Sequence, residues 1–194
     1  ILKMGKKTKT QSQSRQNETE IAKNFSNFLA KIKSENNEDH KLDDISICRA
    51  SEIQIEPNKH CFLVFLNAPS QANFKAVHSF LVQKFEEHFS TPVVLIPDRK
   101  RINGNLYRRY QGTKVPRDRT LDTIFNAYLE DLVYPATIIG KRTRFPQGKA
   151  RQFKVIIDPV DKDSMDYKVP SIIVCYKALT NRSLHIEFPE LKKA

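Results

Sequence analysis

The chain has 194 residues and a formal net charge of +11, from 33 Lys and Arg against 22 Asp and Glu. This length suits one domain with tails and allows a proper hydrophobic core, and five Gly beside twelve Phe exclude a collagen-like or glycine-rich protein. Because no apolar run approaches the ~20 residues that span a bilayer and no signal-peptide core follows the basic start, we expect a soluble, intracellular protein without a membrane partner.

The cysteines point to a reducing compartment. Cys48, Cys61 and Cys175 are odd in number and show no C-x-x-C spacing. We therefore expect free thiols that act as small hydrophobic residues and no disulfide framework.

The positive charge is concentrated in three segments. Residues 1–16 carry five basic side chains and no acid, residues 99–119 carry eight against one, and residues 141–154 carry six and no acid. The stretch between the first two, residues 17–98, has eight basic and twelve acidic side chains and is mildly acidic. Such a distribution indicates localised contact with a polyanion.

Residues 1–17 form a polar, basic N-terminal extension without hydrophobic periodicity. We expect it to be extended or disordered in the free protein. Its lysines Lys6, Lys7 and Lys9 are candidate RNA contacts, and a merely solvating tail or a nuclear-import signal is an equally good interpretation.

Residues 20–97 alternate between helical and strand patterns. Ile21, Phe25 and Leu29 fall on one helical face, which ends at Asn36 and Asn37. Two strands follow around a turn at Pro57 and Asn58, and the solid apolar run of residues 62–66 predicts a strand covered on both faces. A helix over residues 71–89 and a short buried strand over residues 93–97 complete this half.

The second half predicts one strong helix and a hairpin. Thr120 caps a helix over residues 120–133 that ends before Pro135. Residues 136–145 and 151–158 read as two strands around a turn, followed by a helix from Pro170 and a last strand over residues 183–188. We predict an α+β fold in which residues 18–194 form a single domain, one mixed β-sheet with flanking helices and a long basic loop at residues 99–119. The sequence shows no internal repeat.

The sequence contains no signature of catalysis or of a cofactor. Four carboxylates crowd into residues 158–166, but the positions where a calcium loop needs Gly and Glu hold other residues. His60 and Cys61 are neighbours on a strand and face opposite sides of the sheet, so they cannot easily share a zinc ion. We expect no metal, no cofactor, no small-molecule substrate and no enzyme, since the nucleotide-binding and hydrolase motifs are missing.

Glu130 and Asp131 stand in the last helical turn, where the helix dipole disfavours acids. We hypothesise that they pair with distant cations of the basic segments, for instance Lys141 or Arg142. Two exposed, unpaired acids that cost little are an equally good interpretation.

The basic loop is the main candidate for binding a nucleic acid. Gly104, Gly112 and Pro116 prevent a helix there, which argues against an amphipathic membrane anchor. Tyr107 and Tyr110 are candidates for stacking on unpaired bases. A solvated loop without a ligand is the alternative, and composition does not separate RNA from DNA. The predicted phosphate contacts of the loop are Arg99, Lys100, Arg101, Arg108, Arg109, Lys114, Arg117 and Arg119.

A second candidate surface lies on the predicted hairpin. Arg142 and Arg144 share one face of their strand, since strand side chains alternate. With Lys141 and Lys149 they would make a second phosphate contact, although exposed charges that keep an edge strand soluble fit the same pattern.

Long stretches of the chain resemble the eukaryote-specific ribosomal protein seven family of the small (40S) ribosomal subunit. The resemblance rests on RDRTL (117–121), LEDLVYPATIIGKRTR (129–144), FEEHFSTPVVLIPDRKRI (85–102) and YKALTNRSLHIEFPE (176–190), in the family's order. It covers the chain from about residue 18 onward. The loop departs from the family at INGNLY (102–107), where fewer cations stand.

The resemblance implies a structural component of the small subunit that binds small-subunit (18S) rRNA and neighbouring ribosomal proteins. It further implies a role in subunit assembly and pre-rRNA processing, and location in cytoplasmic ribosomes and, during assembly, the nucleolus. By position, the family's RNA-contacting loop maps onto residues 99–119 and its basic strand onto Lys141, Arg142 and Arg144. The alternatives from other classes are a nuclease-like RNA-processing enzyme and a DNA-associated basic protein.

Overall fold

The computed structural model contains two compact units, Ile1–Asp98 and Arg99–Ala194. Each unit has its own three-stranded mixed sheet with helices, which confirms the predicted α+β class. We expected one sheet, and the described strands form two. The structure describes residues 5–35, 42, 44–57, 59–67, 71–102, 119–148 and 151–189, and it describes only the backbone of residues 5–17 and 71–72.

The first unit has the order helix, two strands, helix, strand. β1 pairs with β2 in antiparallel fashion and β2 pairs with β3 in parallel, as a crossover through a helix allows. All predicted elements of this unit are confirmed. They are α1 (Gly5–Glu35), β1 (Ser46–Glu56), β2 (Lys59–Asn67), α2 (Gln71–Phe89) and β3 (Val93–Pro97).

Helix α1 begins at Gly5, well before the expected start near Glu20. It therefore includes most of the extension for which we expected no regular structure. Between Gly5 and Glu20 the chain contains no Pro and no further Gly, so nothing in the sequence interrupts the helix. Disorder of residues 1–17 in the free protein stays a prediction.

Aromatic rings fill the core between α1, α2 and the first sheet. The ring of Phe25, which is fully buried, lies 5.3 Å from those of Phe62 and Phe85 and 4.2 Å from that of Phe89. Edge-on and stacked pairs of this kind stabilise a core beyond their buried area. Side chains on both faces of β2 and β3 are buried, as the solid apolar run predicted.

The second unit repeats this order of elements. β4 pairs with β5 in antiparallel fashion and β5 with β6 in parallel. Short helical turns fill Pro159–Lys168 between β5 and the last helix. The predicted helix, hairpin, helix and final strand are confirmed as α3 (Leu121–Val133), β4 (Ile138–Arg144), β5 (Gln152–Ile157), α4 (Val169–Thr180) and β6 (Ser183–Glu187).

The two units thus share one topology, helix–strand–strand–helix–strand, with the same strand order and the same strand directions. The sequence shows no repeat because topology is set by hydrophobic pattern and connection length, which many different sequences satisfy. Because the two units lack sequence similarity, the repeated architecture could not be recognised from the sequence.

Thr120 occupies the N-cap position of α3, as predicted, but its side chain does not cap the backbone. Its hydroxyl lies 2.7 Å from the hydroxyl of Thr123 instead. The other end of α3 is as predicted, since the helix stops at Val133 before Pro135.

Arg182 ties α3 to the second sheet. Its guanidinium lies 4.7 Å from the ring centre of Phe125 and 4.9 Å from that of Phe153, and one of its nitrogens lies 3.0 Å from an oxygen of Asp122. We expect Arg182→Ala to lower the free energy of unfolding by about 1–2 kcal/mol, since the substitution removes both cation–π interactions. Urea unfolding followed by circular dichroism measures the change.

Asp122→Asn is the matched control for this prediction. The Asp122 side chain is 79% exposed, so losing its ion pair should change the stability by less than about 0.5 kcal/mol. A control as destabilising as Arg182→Ala would show that the ion pair, and not the pair of aromatic rings, carries the stabilisation.

Candidate nucleic-acid interface

The register of the second sheet places Arg142 and Arg144 on its outer face. They stand opposite Lys154 and Gln152 of β5, two residues apart on each strand. The alternate residue Phe153 contacts Arg182, whose guanidinium also covers a ring of α3, so Phe153 marks the inner, helix-covered face. The prediction that both arginines share one face is therefore confirmed.

The outer face is polar and open to solvent. Arg142 and Arg144 are both exposed, and within the described residues neither forms a salt bridge with a carboxylate. Guanidinium groups in this position are free to form paired hydrogen bonds with phosphate oxygens. We define the outer face as Arg142, Arg144, Gln152, Lys154, Ile156, Ser183, His185 and Glu187.

Lys154 is neutralised within the outer face. Its ammonium group forms a salt bridge with Glu187, and its side chain is only 13% exposed. The hydrogen bond from Lys154 holds the pKa of the Glu187 carboxyl below its usual value, helped by the charges of His185 and Arg144. Because this pKa is lowered, the pair stays charged at neutral pH and is lost only in acid. The net positive charge of the face therefore comes from Arg142 and Arg144.

Lys141 lies on the inner face, opposite Val155, and not beside the two arginines. Its Nζ lies 2.7 Å from Oε1 of Glu130 on α3, which confirms the hypothesised non-local pair. Because strand side chains alternate, Arg142 points to the outer face and its neighbour Lys141 points to α3. A role of Lys141 in RNA binding stays a prediction, although Lys141 and the two arginines lie on opposite faces of the sheet.

Asp131 also has a distant partner, but that partner is Arg99. Nη2 of Arg99 donates to both carboxylate oxygens of Asp131 at 3.0 and 2.7 Å, and Nε donates at 2.9 Å. The Asp131 side chain is only 9% exposed and that of Arg99 22%. The first cation of the basic loop therefore serves as an internal anchor to α3, and its predicted phosphate contact remains untested.

The described ends of the basic loop are held together at its base. The amide of Ile102 donates to the carbonyl of Arg119 over 3.2 Å. Lys100, Arg101 and Arg119 are exposed beside this bond, so cations from both ends of the loop meet at one place. Several predicted contacts lie outside the described residues, namely Tyr107, Arg108, Arg109, Tyr110, Lys114, Arg117 and Lys149, as do the side chains of Lys6, Lys7 and Lys9.

The acidic stretch after β5 has structural tasks. Asp158 accepts a hydrogen bond from the amide of Val160 at 3.1 Å, and Asp161 accepts one from the amide of Thr137 at 3.2 Å. Across the described part of the chain, no three His, Cys, Asp or Glu side chains converge as metal ligands. These carboxylates therefore stabilise the chain after β5 by accepting hydrogen bonds from backbone amides.

The other candidate ligands have structural surroundings as well. His60 pairs with Glu52 at 3.1 Å, while its neighbour Cys61 is buried. None of the three cysteines forms a disulfide, as expected, although Cys48 is exposed and not buried. None of the described helices is long and apolar enough to cross a membrane.

Comparison with known proteins decides the family. The family model described as "Ribosomal protein S7e" matches residues 8–188. The chain belongs to this family. The first part of the basic N-terminal segment lies outside the match.

Curated members of the S7e family from distant eukaryotes are similar over most of their length. "Small ribosomal subunit protein eS7" of Anopheles gambiae is 36% identical over 153 residues, 77% of this chain and 79% of the relative. The proteins of that name from Spodoptera frugiperda and Schizosaccharomyces pombe are 35% and 34% identical and align over 83% and 77% of this chain, and 87% and 77% of their own lengths. The resemblance drawn from residues 85–190 is therefore confirmed, and the family is one of structural ribosomal proteins of the small subunit.

Sequence reasoning on this S7e member missed one feature of the interface. Phe145 directly follows Arg144 at the end of β4 and is 70% exposed. The guanidinium of Arg151 lies 4.8 Å from the centre of its ring. The signal was present in the sequence, since an aromatic residue stands beside two arginines just before a turn, but we read it as the last residue of a strand.

Proposed function

We propose that this protein is a structural constituent of the small ribosomal subunit that binds small-subunit (18S) rRNA and takes part in subunit assembly and pre-rRNA processing. The observation that carries the RNA-binding part is the outer face, where Arg142 and Arg144 stand exposed and form no salt bridge with any described residue, in a chain of this ribosomal family. Two neighbouring guanidinium groups repel each other in the free protein, and a phosphate backbone removes this repulsion by neutralising them.

The protein would bind RNA at two places. The outer face offers two guanidinium forks on a rigid sheet, and such a support fixes the position of each phosphate. The basic loop offers a denser group of cations, with Lys100, Arg101 and Arg119 at its base. Arg99 and Lys141 hold these surfaces to α3 through Asp131 and Glu130, and so they position the binding groups.

Membership of the family supports the remaining parts of the proposal. We place the protein in the ribosome, beside other small-subunit proteins, and in the nucleolus during assembly. Its contribution to assembly would be structural, because a protein that neutralises phosphates from separate RNA segments favours their close approach. The proposal involves no cofactor and no catalytic step.

We expect Arg142→Gln/Arg144→Gln to weaken binding to small-subunit rRNA and to flatten its salt dependence. Removing two phosphate-binding cations should reduce the slope of log K against log salt by about 1.5. The measurement is filter binding or fluorescence anisotropy across a salt series, with duplex DNA as the competing polyanion.

Lys162→Gln/Lys177→Gln is the matched control, since both lysines are exposed cations of the same unit outside the outer face. It changes the net charge equally and should leave the slope nearly unchanged. Equal effects of the two double variants would mean that only the overall charge matters. Equal affinity for duplex DNA and rRNA would contradict the ribosomal RNA proposal.

A further inference from the structure

The outer face contains a groove beside Phe145. Its volume is about 300 Å³, at the lower end of the range for small-ligand sites. The lining offers a guanidinium, an amide, a hydroxyl, an imidazole and a carboxylate, so it presents both donors and acceptors. The lining residues are Arg144, Gln152, Ser183, Leu184, His185 and Glu187.

The fold itself does not require polar residues at this place. The first unit has the same topology, and the corresponding face of its sheet, away from α1 and α2, carries buried apolar side chains such as Cys61, Leu63 and Ile96. An apolar face is therefore compatible with this architecture. That face of the first sheet is buried, whereas the outer face of the second sheet is open to solvent, so its charged and amide groups are accessible to a ligand.

The rim of the groove carries an aromatic platform. Arg144 pairs with Gln152 across the two strands; Phe145 directly follows Arg144, and Arg151 directly precedes Gln152. The Ser183 hydroxyl donates to the carbonyl of Arg151 at 3.2 Å. The guanidinium of Arg151 faces the ring at 4.8 Å, yet Phe145 remains 70% exposed. Most of the ring is thus free to stack against a flat partner beside a positive charge.

Resting on the RNA binding proposed above, we propose that the groove and the Phe145–Arg151 pair bind one unpaired nucleotide of RNA. Its base stacks on the Phe145 ring, its phosphate lies against Arg144, and groups of the groove hydrogen-bond to the edge of the base. The charge of Arg142, Arg144 and Arg151 favours a polyanion over an apolar protein partner. Duplex RNA presents phosphates but hides its base faces, so the exposed ring selects an unpaired base.

The absence of Trp from the chain makes a direct test available. In Phe145→Trp the new indole is the single Trp fluorophore. We expect its emission to be quenched when the full chain is titrated with a short single-stranded RNA, and much less by the duplex of the same sequence. Val160→Trp provides the matched reporter, because Val160 is 80% exposed and lies outside the outer face. Its emission should stay constant.

A second variant measures the contribution of the ring to binding. Phe145→Leu keeps an apolar side chain at an exposed position, so folding should be preserved. We expect its affinity for the single strand to fall about 5- to 150-fold, the range found when one stacking partner is removed. Its affinity for the duplex should change less than about twofold.

The outcomes separate this inference from the proposed function. Suppose that the wild type binds RNA and that Arg142→Gln/Arg144→Gln weakens this binding, but that Phe145→Leu binds the single strand with normal affinity. The nucleotide site is then refuted, and a protein partner becomes the explanation for the exposed Phe145 ring. Unquenched Phe145→Trp at saturating single-stranded RNA would refute it as well. If the wild type binds no RNA at all, both proposals fail together.

Discussion

Asp131→Asn should lower the free energy of unfolding of the second unit by about 2–3 kcal/mol. The Asp131 carboxylate is nearly buried and accepts three hydrogen bonds from Arg99. Removing its charge leaves the Arg99 guanidinium partly buried without its counter-ion, which costs more than the pair contributes when intact. The partial exposure of Arg99 keeps the value below that of a fully buried pair. Urea unfolding, with hydrogen exchange to assign the change to α3, measures it.

The control for Asp131→Asn is Glu130→Gln, at the neighbouring residue. The Glu130 side chain is 63% exposed, and its pair with Lys141 lies in solvent, so the expected loss is below about 1 kcal/mol. Comparable losses in the two variants would contradict the distinction between a buried anchor and a surface pair.

The largest effect on RNA binding should come from the basic loop. Replacing Arg108, Arg109, Arg117 and Arg119 with Gln should flatten the slope of log K against log salt by about 3, because each phosphate-binding cation that is removed takes away roughly 0.7–0.9 of slope. Binding of the full chain to small-subunit rRNA and to duplex DNA across a salt series measures this slope. Wild-type protein should prefer RNA.

A charge-matched variant controls for the removal of four cations. The four exposed lysines that it replaces with Gln are Lys23, Lys31, Lys162 and Lys177. An unchanged slope in the loop variant would move the RNA site to the outer face and the N-terminal segment. A flatter slope without RNA preference would leave the charge argument intact and place the ribosomal assignment on family membership alone.

Local patterns were enough to predict the elements of both units. The i, i+3, i+4 spacing of α3 and the solid apolar run of β2 depend on residues within one turn or one strand. The alternation of side chains along a strand likewise placed Arg142 and Arg144 on one face. The hypothesis that Glu130 and Asp131 pair with distant cations rested on the helix dipole, which is also a local property, but two unpaired acids fitted the sequence equally well.

Pairs formed between distant segments could not be predicted in this way. The pair Arg99–Asp131 spans 32 residues, and Lys154 meets Glu187 across two neighbouring strands. Sequence alone shows how many charges a segment carries but not which of them are neutralised. Phe145 is similar, because its exposure depends on where β4 ends and how the chain turns.

By itself, the sequence determined the α+β class, the nature of the helices and strands, their approximate bounds except for the start of α1, the three basic segments and the ribosomal family. Only the tertiary structure decided that the strands form two sheets of one topology, that Lys141 faces α3, and that Arg142 and Arg144 lie on an open face where no described carboxylate forms a salt bridge with them. The physical reason is that hydrophobic periodicity acts within an element. Strand pairing and charge neutralisation depend on which elements meet, and that is settled by packing over the whole unit.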